Sequence, residues 1–201
     1  LTPGYDRHFT ICEYFGISML SIPLTNSGPD IEKIEKEVKA DQSIKGIWCV
    51  PKYSNPTGYT YSDEVVKRIA ALPRIAAEDF FVFWDNAYVV HDLQSDGDKL
   101  YNFSRETENQ GTSNSGLVFA STSKITFAGA GISFLSTGDK TLSDFEKYLS
   151  MQMIGFDKVN QLRHVKLLKN LEETKQLMAK HQKILKPKFD LVLATLENKL
   201  S

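Results

Sequence analysis

The chain has 201 residues, 41% of them hydrophobic, and a formal net charge of −1. That is enough apolar material for a buried core in one large domain or two small ones. Charges of both signs near balance leave no basic field for nucleic acid and no polybasic patch for a membrane, and no apolar run reaches the ~18 residues of a membrane span.

Cys12 and Cys49 fall in apolar segments and read as small core residues, which fits a reducing, cytoplasmic setting. His8, His91, His164 and His181 have no metal-ligand spacing and are expected to be structural or exposed. The opening Leu1-Thr2-Pro3-Gly4 reads like the middle of a protein, so an excised or incomplete chain is expected.

In chain order, Asp6 is expected to cap a helix carrying Phe9, Cys12 and Phe15 on one side, ended by Gly16 and followed by a strand over residues 18–22. Ser27-Gly28-Pro29-Asp30 opens the next helix, with Ile31, Ile34 and Val38 on one face. Residues 44–50 form a buried strand that Pro51 stops. Thr60-Tyr61-Ser62-Asp63 starts a helix buried through Val65, Val66, Ile69 and Leu72, closed by Pro73.

Residues 80–84 are continuously apolar, as suits a parallel strand covered on both faces. Residues 94–114 lack periodicity and read as a surface loop with at most a short helix. Another apolar run, Leu117-Val118-Phe119-Ala120, is followed by Ser121-Thr122-Ser123-Lys124. A return strand over residues 131–136 and a helix over residues 142–153 come next, and Gly155 breaks the latter. From Asp157 onward a long amphipathic helix is expected, bent or broken at Pro187.

Asn55, Asp85 and Lys124 each stand just beyond an apolar run, and in an open α/β sheet ligands bind beyond the carboxyl ends of the strands. Alone, the segment around Lys124 also fits a solvated lysine in a polar turn. A lysine behind two serines and ahead of Ala128-Gly129-Ala130-Gly131 can equally meet a carbonyl cofactor held by its phosphate.

The ordered set Asn55-Pro56-x-Gly58, Asp85-x-Ala87-Tyr88 and Ser121-x-x-Lys124 resembles the fold-type I pyridoxal-phosphate enzymes, specifically class I aminotransferases. The wording around Pro3-Gly4-Tyr5-Asp6-Arg7-His8-Phe9 and Asn160-Gln161-Leu162-Arg163-His164 looks like a bacterial branch of aspartate aminotransferases. The resemblance implies a three-layer α-β-α large domain over residues 1–155, with a mainly parallel sheet. Residues 156–201 would be a long helical segment leading to a small domain outside this chain.

It further implies pyridoxal 5'-phosphate as cofactor, with Lys124 binding it covalently and acting as the proton-transferring base. Asp85 would face its ring nitrogen, Asn55 and Tyr88 its phenolic oxygen, Tyr5 its ring plane, and Ser121 and Ser123 its phosphate. Many relatives add an arginine eight residues beyond the lysine, where this chain has Ile132. The expected substrates are an amino acid, aspartate or glutamate, and a 2-oxo acid. The expected assembly is a homodimer of the full-length protein, with the isolated chain inactive. Rival readings are a non-catalytic, aminotransferase-like effector domain of a transcription regulator, and a nucleotide-binding domain, which Gly129-Ala130-Gly131 hardly supports.

Overall fold

The computed structural model describes residues 1–200. The chain begins with helix α1 (Asp6–Tyr14), a short antiparallel pair β1 (Leu24–Thr25) and β2 (Gly28–Pro29), and helix α2 (Ile31–Ala40). Strand β3 (Gly46–Cys49), helix α3 (Asp63–Ala71), strand β4 (Phe81–Asp85), helix α4 (Phe103–Gln110) and strand β5 (Gly116–Ser121) make two crossover units. Strand β6 (Ser133–Ser136) returns beside β5, and helices α5 (Asp139–Gln152), α6 (Lys158–Leu168) and α7 (Leu171–Leu200) follow. The sheet order is β3-β4-β5-β6, parallel across the first three and antiparallel at β6. This is an α/β fold with a mainly parallel sheet and a long C-terminal helix.

The alternation of side chains along β4 divides the sheet into two faces. Val82 and Trp84 are fully buried and join Cys49, Val66, Ile69 and Phe103 in the main core. Trp84 stacks on Phe103 of α4 at 4.2 Å between ring centroids and meets Tyr61 edge-on at 6.0 Å. On the opposite face an aromatic row crosses the strands, with Trp48 to Phe83 at 5.3 Å and Phe83 to Phe119 at 6.2 Å. Helix α1 closes that row where His8 stacks on Trp48 at 4.1 Å. Asp85 alternates to the same side as Phe83 and so sits at the end of the aromatic face.

Helix starts follow the expected capping chemistry. Asp30, Ser62, Asn102 and Asp157 accept hydrogen bonds from the main-chain N–H groups of Lys33, Val65, Arg105 and Asn160. The short helix allowed within residues 94–114 is α4.

Several sequence expectations are corrected. Asp6 is the first residue of α1 and makes no cap bond, the N-cap being Tyr5. The buried residue of α1 is His8, while Phe15 is exposed, because the helix meets the sheet edge at Trp48 rather than through its more apolar side. Residues 18–22 form no strand; pairing there is a single parallel bridge between Thr2 and Pro23. Gly28 and Pro29 belong to β2, so Asp30 rather than proline chemistry starts α2. The C-terminal helix breaks at Lys169, where φ is +48°, and α7 then runs through Pro187. Asn170 causes the restart, its side chain accepting the Glu173 N–H at 2.9 Å.

Among the described residues no helix is long and apolar enough to cross a membrane.

Candidate functional site

Parallel pairing brings the ends of β4 and β5 side by side, so their last residues, Asp85 and Ser121, open onto one rim. A cavity of about 220 Å³ lies there, lined among others by Asp85, Phe119, Ser121, Ser123, Lys124 and Phe134. A carboxylate, an amine and two hydroxyls therefore surround one space. Such a set can hold a carbonyl compound that also carries an anionic group.

The turn carrying Lys124 is built by convergence on one carbonyl. The N–H groups of Ile125 and Thr126 both donate to Thr122 O, at 2.9 and 2.8 Å. Buried Thr122 is in turn clamped to the return strand, since its N–H donates to Ile132 O at 2.9 Å and its Oγ1 accepts the Ile132 N–H at 2.8 Å. The position where many relatives have an arginine thus serves here through its main chain. Ser121 Oγ accepts the Ser123 N–H at 3.1 Å and donates to Ser123 Oγ at 2.9 Å, folding the serines around the cavity mouth. Gly131 permits the approach, as a Cβ there would stand 2.2 Å from Ser123 Oγ.

Lys124 Nζ lies over the Tyr88 ring, 4.3 Å from its centroid. Its main-chain carbonyl faces His91 Nε2 at 3.2 Å. Burial pushes the His91 imidazole below its ordinary pKa, partly opposed by that hydrogen bond. Asp85 Oδ2 accepts a hydrogen bond from His8 Nε2 at 3.1 Å, and Tyr5 packs edge-on against His8 at 5.4 Å.

Asp85, Ser121, Ser123 and Lys124 thus meet in the cavity, with Tyr88 beneath the lysine and Tyr5 one ring further out. Asn55 is exposed and lies outside the cavity lining. Its loop is nevertheless fixed to the segment after Asp85 by a partly buried cluster around Lys52. Lys52 Nζ donates to Asp92 Oδ1 at 2.7 Å, and the Tyr53 hydroxyl donates to the same oxygen at 2.7 Å. Burial and that carboxylate push the Tyr53 phenol up to about 12.

Sequence reasoning missed His8 and His91 as neighbours of the site, and it weighed His164, with Asn160, Gln161 and Arg163, as lining the site or a subunit contact but left it out of the catalytic set. The signal for His8 was its spacing from Tyr5, three residues that share one helical face. No local signal marks His91 or His164, whose Nε2 partners, Lys124 O and Thr126 Oγ1, lie on distant segments.

The model of the aspartate amino-transferase family matches residues 1–201. The aspartate aminotransferase of Corynebacterium glutamicum is 43% identical over 199 residues, covering 99% of this chain and 46% of that protein. A crystal structure of an aspartate transaminase from that organism matches with a TM-score of 0.95, over 99% of this chain and 46% of the other. A protein of Mycolicibacterium smegmatis is 47% identical over 198 residues, 98% of this chain and 46% of its own length. The fold extends to a Thermus thermophilus α-aminoadipate aminotransferase complexed with N-(5'-phosphopyridoxyl)-L-leucine, at TM-score 0.81 and 19% identity, covering 99% of this chain and 49% of the other. This chain spans about half the length of the relatives it matches. With the family model matching all 201 residues, the chain belongs to the aspartate aminotransferase family.

Proposed function

We propose that this chain supplies the cofactor-binding part of a pyridoxal 5'-phosphate aminotransferase that moves an amino group between an amino acid and a 2-oxo acid. Aspartate is the proposed amino donor on the strength of the C. glutamicum relative, with glutamate as the alternative that the family resemblance implies. The observation that carries the reading is the single cavity shared by Asp85, Ser121, Ser123 and Lys124.

The donor set fits the cofactor: an amine for its aldehyde, a carboxylate for its ring nitrogen, and serine hydroxyls on a loop drawn tight at Gly131 for its phosphate. When bound, the cofactor supplies a protonated ring that takes up the electron pair left as the substrate α-carbon loses its proton.

Lys124 Nζ binds the cofactor and takes and returns the proton at the substrate α-carbon, its position set by the Tyr88 ring. The Asp85 carboxylate holds the proton on the ring nitrogen, and His8 orients that carboxylate. Phe119, half-buried, lines the same space and limits water around the charged groups. Family resemblance assigns Tyr5 to the ring plane and Asn55 and the Tyr88 hydroxyl to the phenolic oxygen. The reading includes a homodimer of the full-length protein, supported by exposed Phe127, Phe134, Ile154 and Phe156, and a cytoplasmic setting, which rests on the family resemblance.

The test is the full-length protein with pyridoxal phosphate. A visible absorption band removed by borohydride, with the label on the Lys124 peptide, and turnover of aspartate with 2-oxoglutarate are expected. A stable label on Lys52 or Lys140 instead of Lys124 would overturn the assignment.

A further inference from the structure

Helix α6 touches the rest of the molecule in an unusual way. Its apolar residues Val159, Leu162 and Val165 are exposed, and the residue it buries is His164. Burying an imidazole is costly unless both nitrogens are paired, and here both are. Nδ1 faces Asn160 O at 2.9 Å and therefore donates, and Nε2 meets Thr126 Oγ1 at 3.0 Å. The Asn160 side chain adds a second link, its Nδ2 donating to Ala130 O at 2.9 Å. The helix is thus held by polar contacts to the two ends of the loop that follows Lys124.

Thr126 is the joint. Its main-chain N–H donates at 2.8 Å to Thr122 O, the carbonyl on which the lysine turn converges. With Nδ1 donating to Asn160 O, the single Thr126 hydroxyl proton goes to His164 Nε2, so the ring holds the turn through Thr126. Lys124 sits inside the span it closes, with His91 holding its carbonyl from the other side. A hydrophobic residue at 164 would fill the same volume without fixing the turn.

We propose that His164 is a positioning residue for Lys124, acting through the Thr126 hydroxyl. The proposal rests on the reading of Lys124 as the cofactor lysine. A displacement of about 1 Å at a reacting group can cost about a hundredfold in rate, so a small relaxation of this turn has a measurable effect.

The test uses the full-length protein and the variants Thr126→Val, Thr126→Ser, His164→Leu and the Thr126→Val/His164→Leu pair. In cofactor-free protein, Thr126→Val should speed amide hydrogen exchange at Ile125 and Thr126 about tenfold, leaving Val82 to Trp84 in β4 unchanged. With cofactor, kcat should fall at least about tenfold while KM for aspartate stays within about twofold. Thr126→Ser keeps the hydroxyl and should restore both readouts. His164→Leu should match Thr126→Val, and the pair should be no worse than either alone. Thr126→Val probes the same bond without altering the buried ring, so the test survives a His164 variant that fails to fold. Unchanged exchange and kcat in Thr126→Val, or exchange that rises equally in β4, would overturn the proposal. Lys124→Ala separates the two readings: if it keeps adduct and turnover, the cofactor-lysine assignment fails, whereas its inactivity beside an unaffected Thr126→Val sinks the positioning role alone.

Discussion

His8 Nε2 donates to Asp85 Oδ2 at 3.1 Å while the same imidazole stacks on Trp48 at 4.1 Å. One ring therefore fixes both the height of α1 above the sheet and the direction of the carboxylate. His8→Phe keeps the stacking and removes the hydrogen bond. Without that bond the Asp85 carboxylate is no longer aimed, and a displacement of about 1 Å at a reacting group can cost about a hundredfold, so kcat/KM should fall about tenfold to a hundredfold. Steady-state kinetics on the full-length protein check this, and an unchanged kcat/KM would remove His8 from the site.

Asp85→Ala should leave the borohydride-trapped label on Lys124 while slowing proton transfer by about 10²–10³, since the group meeting the ring nitrogen is gone. Primary deuterium isotope effects with α-deuterated aspartate locate the slowed step. Unchanged turnover would take Asp85 out of the mechanism.

How much of this was legible depended on whether a signal was local. Phe81–Asp85 and Gly116–Ser121 announced themselves as apolar runs, which placed Asp85 and Lys124 at one rim. But β4 is fully buried only on the Val82 and Trp84 face and is half-buried on the other, so the expected burial on both faces was too strong. The orientations of α1 and α6 were not legible, because polar contacts to distant segments chose the buried face: His8 to Asp85, and His164 to Thr126. Apolar periodicity reports which face could be buried, and here these two helices bury a histidine instead. The break at Lys169 was missed for a related reason, as Asn170 caps α7 while Pro187 is accommodated within it.

Gly131 gives a test of the serine loop. A Cβ there would lie 2.2 Å from Ser123 Oγ and 2.6 Å from Ser123 N, so the loop must move. Gly131→Ala should cost about 1–3 kcal/mol of stability and weaken pyridoxal phosphate binding. Gly155→Ala, where nothing lies within 4 Å, is the control and should stay within about 0.5 kcal/mol. Denaturant unfolding and cofactor titration of both variants decide it, and equal behaviour would refute the packing argument.

His91 supplies a pH dependence with a definite sign. Burial, the largest influence, lowers its pKa from 6.5, and the hydrogen bond with the Lys124 carbonyl only partly offsets this. Between the lowered folded value and 6.5 the unfolded chain binds more protons at this residue than the folded protein does. Stability from His91 therefore rises with pH through that window, is complete above 6.5, and is lost as pH falls towards the folded value. His91→Gln keeps an N–H for the Lys124 carbonyl and removes the titration. Urea unfolding at about pH 7.5 and about pH 5.5 should show a larger fall in midpoint for the wild type than for the variant, on top of carboxylate effects common to both. Equal falls would mean that His91 titrates alike in both states, and that its burial beneath the lysine turn does not persist in solution.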